Sequence, residues 1–264
     1  MSWNTAKDVF VFASILNDDL LQFLKREKIP TKRILLRIVM SFFDPLGLWA
    51  LFTVFGKLII QDLWRNGCSW DEILDANSTK KWLRWISLLP QVQAMEIPRC
   101  YFWNVKPSDY QNLELHVFAD ASEDAYGSVA YFRVQVNGNT RVALVSAKSK
   151  VAPLQYMSIP RMELLAAVLG ARLSTAVKDY HSVQIKRVVI HIDSSTVLSW
   201  IRSDHRKYKQ FVAYRIGEIL SLTYPVEWRW IASKNNVADV LTKWGKHGPS
   251  LDSDGVWVKG PDIL

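Results

Sequence analysis

The order of hydrophobic patterns after residue 112 constrains the fold of this chain more than any other feature. Residues 113–120, 128–136 and 141–147 alternate apolar and polar side chains, which predicts three strands. Asn137-Gly138-Asn139 separates the second and third strands, and these residue types tolerate positive φ, so the pair is predicted to be a hairpin. The pattern after the hairpin predicts a helix from Ser158 to about residue 177, a strand over 186–193, helices over 194–201 and 211–219, a strand over 226–231 and a short helix containing Asp239.

This order, β-β-β-α-β-α-α-β-α, predicts an α/β fold. An antiparallel three-stranded meander followed by α-β crossovers implies a mixed five-stranded sheet with helices packed on its faces. Because crossovers are right-handed, the fourth strand should run parallel to the first and lie beside it.

Residues 1–110 have the three- and four-residue apolar spacing of helices, over 18–28, 31–43, 48–64 and 78–89. The third segment is apolar nearly all round, which predicts a buried helix. Trp82, Trp85 and Leu89 share one stripe of the fourth, which favours core packing over base stacking.

The composition indicates the class of partner and the cellular location to expect. The 33 Lys and Arg exceed the 25 Asp and Glu by eight, which suits nucleic acid first and an acidic membrane second, with a merely basic soluble protein as the alternative. Two cysteines, Cys68 and Cys100, exclude a disulfide framework and predict an intracellular location. The N-terminus lacks a signal-peptide pattern, and the longest uncharged stretch, 46–56, is too short to span a bilayer.

Four acidic residues stand where a sheet edge would gather them. Asp120 ends the first strand, Asp193 ends the fourth, and Glu163 and Asp239 lie in the first turns of helices. If the two strands are neighbours, Asp120 and Asp193 come together at one edge. For Glu163 and Asp239 the alternative is a favourable interaction with the helix dipole, worth about 0.3–1 kcal/mol.

Small residues on the helix that carries Glu163 support this grouping. Ala166, Ala167 and Gly170 lie on or beside its face, so the helix can approach the sheet and let Glu163 reach past the edge. Clustered carboxylates repel one another unless a divalent cation neutralises them. All-oxygen ligands favour Mg²⁺ or Mn²⁺, and two such ions roughly 3.5–4 Å apart can activate water for phosphodiester hydrolysis.

Four segments resemble the motifs of a retroelement ribonuclease H in order and spacing. They are 116–122 (HVFADAS), 159–164 (IPRMEL), 191–196 (HIDSST) and 235–242 (NNVADVLT). More narrowly, the chain resembles the Pol polyprotein of BEL/Pao long-terminal-repeat retrotransposons, because 42–47 (FFDPLG), 61–64 (QDLW) and 148–154 (KSKVAPL) look like segments of that family. The resemblance implies a reverse-transcriptase thumb and connection region over 1–110, a ribonuclease H-like domain over 111–245 and a C-terminal tail over 246–264.

The function implied by this resemblance is endonucleolytic hydrolysis of the RNA strand of RNA·DNA hybrids, with two Mg²⁺ or Mn²⁺ ions held by Asp120, Glu163, Asp193 and Asp239. We expect no polymerase active site, because the nearest match, Leu16-Asn17-Asp18-Asp19, has too little chain before it for a palm. No His occurs between 226 and 238, so the chain lacks the mobile His that many ribonucleases H place before the last carboxylate.

A basic run follows the helix after Asp193, where ribonucleases H present a helix that grips the substrate. Its members are Arg202, His205, Arg206, Lys207, Lys209 and Arg215. We expect phosphate contacts there, with a solvated helix face as the alternative. Ser122, Ser194 and Asn236 are candidate hydrogen-bonding partners of nucleic acid near the cleft.

Two other functions remain open at this point. The chain could be a non-catalytic nucleic-acid-binding or assembly relic of a Pol protein, although all four carboxylates are intact. An aspartic peptidase would need Asp-Thr/Ser-Gly loops, and the segments after Asp120 and Asp193 both lack the Gly. The expected partners are an RNA·DNA hybrid or other nucleic acid and the remainder of a Pol polyprotein, with no membrane. The expected location is the cytoplasm, a virus-like particle or the nucleus.

Overall fold

A computed structural model describes residues 1–12, 18–103, 105–106, 110, 112–245 and 248–264, with the backbone alone at Asp18, Asp19 and His205. Leu16 and Asn17 of the polymerase-like match therefore lie outside the described residues. The chain forms two compact units, one of Met1–Pro45 with Trp49–Arg99 and one of Leu46–Leu48 with Cys100–Leu264. No helix in the described part of the chain is long and apolar enough to cross a membrane.

The first unit is mainly helical, as predicted. Its helices are α1 (Asp18–Leu24), α2 (Lys32–Ser41), α3 (Ala50–Arg65), α4 (Ala76–Ile86) and α5 (Leu89–Ala94). Thr31 and Asp75 begin α2 and α4 by accepting hydrogen bonds from the amides of Ile34 and Ser78. Trp82 and Trp85 are fully buried, so the prediction of core packing is confirmed.

The same unit also contains a three-stranded antiparallel sheet that the helical interpretation of residues 1–110 missed. Its strands are β1 (Ser2–Asn4), β2 (Val9–Val11) and β3 (Glu96–Pro98). Each strand is three residues long, which is too short for alternation to be recognised. In addition, β3 pairs with a strand more than eighty residues earlier, and no local signal announces such a pairing.

The second unit is built on the predicted mixed five-stranded sheet. Its strands are β4 (Glu114–Ala121), β5 (Ala125–Val136), β6 (Asn139–Val151), β7 (Arg187–Ile192) and β8 (Trp228–Trp230), in the order β6-β5-β4-β7-β8. The first three are antiparallel neighbours, whereas β7 runs parallel to β4 and β8 runs parallel to β7. The predicted adjacency of the first and fourth strands is therefore confirmed.

The hairpin between β5 and β6 has the predicted turn. Asn137 and Gly138 have φ of 50° and 80°, and Val136 pairs with Asn139 across the two-residue loop. Both strands are longer than the alternating pattern indicated, because β5 and β6 continue to Ala125 and Val151. These added residues extend the sheet at the edge where Asp120 lies.

Three helices of the second unit are α6 (Ile159–Tyr180), α7 (Ser195–Ile201) and α8 (Gln210–Leu222). A methyl group added at Gly170 of α6 would lie 3.4 Å from the Cβ of Ala119, so the helix approaches the sheet closely. The predicted role of the small residues is confirmed, since Ala166 and Ala167 are also buried.

The described residues of the C-terminal segment pack against the sheet. Trp257 lies in a short helix, α9 (Val256–Lys259), and is buried. Its backbone carbonyl accepts a 2.8 Å hydrogen bond from the Tyr131 hydroxyl, and its indole donates one of 2.8 Å to the carbonyl of Leu48. The carbonyl of Leu264 accepts a hydrogen bond of 2.5 Å from Arg133.

Candidate active site

The sheet brings Asp120 and Asp193 to one edge. Ala119 of β4 pairs with Ile192 of β7, so the two aspartates follow side by side on neighbouring parallel strands. Asp120 is buried, and one of its carboxylate oxygens accepts a hydrogen bond from the Thr242 hydroxyl. Asp193 is half-buried, and the Ser233 hydroxyl donates a hydrogen bond of 2.6 Å to its Oδ2.

Helix α6 brings Glu163 to the same edge. The Ser194 hydroxyl donates a hydrogen bond of 2.7 Å to Glu163 Oε2. The same oxygen of Ser194 accepts a 3.2 Å hydrogen bond from the amide of Val197 and so begins α7. One serine therefore connects Glu163 to the chain directly after Asp193.

The fourth carboxylate, Asp239, lies in a tight 3-10 helix, Val237–Leu241, where the sequence predicted an α-helix. Asn236 begins this helix, because its side-chain oxygen accepts the amide of Ala238 while its side-chain nitrogen donates to the carbonyl of Ala119, 3.0 Å away. The Lys243 ammonium forms an ion pair with Asp239. Residue 236 thereby connects the Asp239 segment to the strand that carries Asp120.

The pKa values of Asp120 and Glu163 reflect burial and the charges of the neighbouring aspartates. The pKa of Asp120 is raised to about 6. Burial is the main cause and the charges of Asp193 and Asp239 add to it, while the hydrogen bond from Thr242 and the charge of Lys243 oppose it. Burial, with the charge of Asp193, also raises the pKa of Glu163. Burial disfavours the charged form of Lys243, but its bond to Asp239 and the nearby aspartates outweigh this and raise its pKa.

The donor set consists of carboxylate oxygens, the ligands that Mg²⁺ and Mn²⁺ prefer. In the described part of the chain, however, no three His, Cys, Asp or Glu side chains are already arranged to hold one ion. Instead, each of the four carboxylates accepts a hydrogen bond or an ion pair from a neighbouring side chain. The residue types fit a hard divalent cation, and these protein contacts would have to give way to it.

Three side chains at this edge were missed by sequence reasoning. Ser233, Thr242 and Lys243 contact Asp193, Asp120 and Asp239, respectively. Thr242 and Lys243 stand three and four residues after Asp239, the spacing of neighbours on a helix, which was the available signal. Nothing local connects Ser233 to Asp193, because they are forty residues apart.

The three polar residues predicted to contact nucleic acid have structural partners in the fold. The Ser122 hydroxyl donates a 2.9 Å hydrogen bond to the carbonyl of Thr242. Ser194 and Asn236 are buried, and both side chains begin helices as described above. Their role in binding nucleic acid stays a prediction.

The basic run borders the start of α8. Arg206 and Lys207 lie in the 3-10 helix His205–Lys207, Lys209 precedes the first turn of α8, and all three are exposed. Arg215 is half-buried, with its guanidinium 3.5 Å from the ring centre of Phe211. The guanidinium of Arg202 is hydrogen-bonded to the carbonyl of Trp228 at 3.2 Å.

Residues 31–194, more than half of the chain, match the family model described as the Pao retrotransposon-like RNaseH-like domain. The chain belongs to this family. The predicted Pao-type Pol fragment with a ribonuclease H-like domain is thereby confirmed, and the predicted mixed five-stranded sheet is present in the second unit.

Solved structures similar to the Pao-type chain include the N-terminal RNase H domain of Rv2228c from Mycobacterium tuberculosis, at 14% identity and a TM-score of 0.36, covering 49% of this chain and 91% of that one. LC11-RNase H1 in complex with RNA/DNA hybrid matches at 13% identity and a TM-score of 0.35, covering 49% and 92%. RNase H1 from the halophilic archaeon Halobacterium salinarum matches at 11% identity and a TM-score of 0.29, covering 49% and 92%. No curated protein matches the chain at a significant level.

Proposed function

We propose that this protein is a metal-dependent ribonuclease H that hydrolyses the RNA strand of RNA·DNA hybrids. The observation that supports the proposal is that Asp120 and Asp193 lie at the carboxyl ends of two neighbouring parallel strands, where the charge of Asp193 acts on Glu163 and that of Asp239 acts on Asp120. Residues 31–194, which match the family model, include the first three of these carboxylates in the chain. Ligands of α/β sheets collect at such edges.

Two Mg²⁺ or Mn²⁺ ions bound to these carboxylates would supply an activated water and stabilise the leaving oxygen of the phosphodiester. The chain itself orients the ligands. Thr242 holds the buried carboxylate of Asp120, Ser194 holds Glu163 against the start of α7, and Ser233 holds Asp193. Lys243 offsets the charge of the cluster from its more exposed side.

The proposed substrate is recognised by its backbone. The exposed side chains of Arg206, Lys207 and Lys209 lie beside α8 in the same domain, and phosphate contacts supply sequence-independent affinity. Reversing all three to Glu should weaken binding of a hybrid and flatten the dependence of affinity on salt, by about 0.9 per lost phosphate contact. An unchanged slope would identify the run as a solvated face.

The deciding experiment is cleavage of an end-labelled RNA·DNA hybrid by the purified chain, with Mg²⁺ and with chelator. We expect endonucleolytic cuts in the RNA strand in Mg²⁺ alone. Asp193→Asn should lower the rate by orders of magnitude, whereas Asp254→Asn, which removes an exposed carboxylate from the C-terminal segment, should not.

Two outcomes would overturn the proposal. Cleavage by Asp193→Asn at the rate of the unmodified chain would exclude the metal mechanism. Binding of hybrid by the unmodified chain, without cleavage and without a Mg²⁺-dependent rise in melting temperature, would favour the non-catalytic binding relic instead.

A further inference from the structure

The segment 42–47 (FFDPLG), one of the family-like segments of the sequence, is not used by the proposed ribonuclease H mechanism. Its end packs with the second unit as part of Leu46–Leu48, whereas the residues up to Pro45 and from Trp49 belong to the first. A carboxylate oxygen of Asp44 accepts a 2.9 Å hydrogen bond from the amide of Trp49, which closes the chain into a loop. We call Leu46–Leu48, at the tip of this loop, the tip segment.

The tip segment is bound through its backbone. The carbonyl of Leu46 accepts hydrogen bonds of 2.9 Å from the amide of Ala147 and 2.6 Å from the hydroxyl of Ser146, both in β6. The carbonyl of Leu48 accepts the 2.8 Å bond from the Trp257 indole. Because β6 is the first strand in the sheet order, its outer side is a sheet edge, and a segment that adds to such an edge is recognised by its main chain.

A bulge in β6 shapes this edge. Ala130 of β5 pairs with Ser146. The next residue, Tyr131, pairs with Leu144, so Val145 is an extra residue in β6. Bulges twist an edge strand and interrupt its regular row of donors and acceptors. The edge next to Ser146 is therefore better suited to a short segment than to a long additional strand.

Gly47 makes the close approach of the tip segment possible. Its φ is 72°, a conformation that favours glycine, and a methyl group added to it would lie 1.8 Å from the carbonyl oxygen of Ala147. Because that oxygen belongs to the backbone of a paired strand, it cannot move aside as the end of a flexible side chain could. The edge thus requires glycine before Leu48, whose side chain is buried.

We propose that the β6 edge and Trp257 form a docking site for the tip segment, and that this binding keeps residues 100–264 attached to residues 1–99 when the chain is cut between them. The partner that fits the site is a short Leu-Gly-Leu stretch presented on a closed loop, and the chain supplies it itself. The inference goes beyond the proposed function and holds whether or not the carboxylates bind metal.

The test is the full chain with a site-specific protease sequence inserted between Arg99 and Cys100, at the boundary of the units. After the cut, the two fragments should co-elute in gel filtration at micromolar concentration. Gly47→Ala should raise their dissociation constant by about tenfold or more, the equivalent of one or two lost hydrogen bonds. Gly67→Ala is the matched control, because Gly67 also has a positive φ, 67°, but no described atom lies within 4 Å of the added methyl group.

A second measurement uses the uncut chain, so that it does not depend on the behaviour of the fragments. Hydrogen exchange followed by NMR should be faster at the amide of Ala147 in Gly47→Ala, while the amides of β4 and β7 stay protected. Two milder variants of the cut chain remove one donor each: Trp257→Phe loses the indole N–H and Ser146→Ala loses the hydroxyl. Each should raise the dissociation constant several-fold.

Three results would overturn the proposal. The first is separation of the unmodified fragments as soon as the chain is cut. The second is a Gly47→Ala complex as tight as the unmodified one, with unchanged exchange at Ala147. If Gly47→Ala instead loses protection throughout β4 and β7, the milder variants decide, and unchanged dissociation constants for both Trp257→Phe and Ser146→Ala would be the third.

Discussion

Replacing Asp120 with Asn should stabilise the metal-free protein while abolishing cleavage. Asp120 is buried beside two other aspartates, and its pKa is raised from 3.8 to about 6. The carboxylate of Asp120 therefore has a higher proton affinity in the folded protein than in the unfolded chain. At neutral pH it is nevertheless ionised, and this charge lowers the free energy of unfolding. Asn keeps the oxygen that accepts the hydrogen bond from Thr242 and removes only the charge.

The size of the effect follows from the two pKa values. At 1.36 kcal/mol per pH unit, the difference between 3.8 and about 6 corresponds to about 3 kcal/mol of unfolding free energy. For a unit of this size that is about 6–12 °C in melting temperature. Below about pH 4, Asp120 is protonated in the folded and the unfolded chain, and this stability is fully present. It is lost as the pH rises through about 6, where Asp120 ionises in the folded protein.

The assay is urea unfolding in chelator between pH 4 and pH 8. Asp120→Asn should match the unmodified chain near pH 4 and exceed it by about 3 kcal/mol at pH 8. Glu123→Gln, which removes the same charge from an exposed position on the following loop, should stay within about 0.5 kcal/mol of the unmodified chain throughout.

In the presence of Mg²⁺ the same comparison should shift in favour of the unmodified chain. At a hundred times its dissociation constant, an ion that binds only the folded state adds about 2.7 kcal/mol to the unmodified chain, and it should add much less to Asp120→Asn. If the stability of Asp120→Asn relative to the unmodified chain is the same at pH 8 and pH 4, the raised pKa of Asp120 is refuted. Full cleavage by Asp120→Asn would refute its role in metal binding.

Two further predictions concern the segment that carries Asp239. A methyl group at Gly127 would lie 2.7 Å from Leu241, so Gly127→Ala should displace the 3-10 helix. It should lower the rate of hybrid cleavage strongly and the melting temperature less. Gly245→Ala, where no described atom lies within 4 Å of the added methyl group, should change neither, and equal cleavage by both variants would contradict this. Lys243→Met should lower the melting temperature in chelator and shift the Mg²⁺-dependent rise to lower Mg²⁺ concentration, because it removes the cation that offsets the carboxylates, and an unchanged midpoint would refute that role.

Elements with a local, repeated pattern could be predicted from the sequence. Alternation located the strands of the second unit, and the two positive φ values at Asn137 and Gly138 follow from residue type alone. Short elements held by distant partners could not be predicted in this way. The three-residue strand β3 depends on β2, and the bond from Ser233 to Asp193 joins segments that only the parallel pairing of β7 and β8 brings together.

The sequence by itself determined the order of elements, the adjacency of the strands carrying Asp120 and Asp193, and the close approach of α6 at Gly170, because period, crossover handedness and side-chain size act through near neighbours. Only the tertiary structure decided what the carboxylates contact in the folded chain. The hydrogen bond from Thr242 to Asp120 joins residues that are 122 positions apart in the sequence. The raised pKa of Asp120 arises from burial and from charges more than seventy residues away. Such interactions depend on distance in space, which no spacing in the sequence specifies.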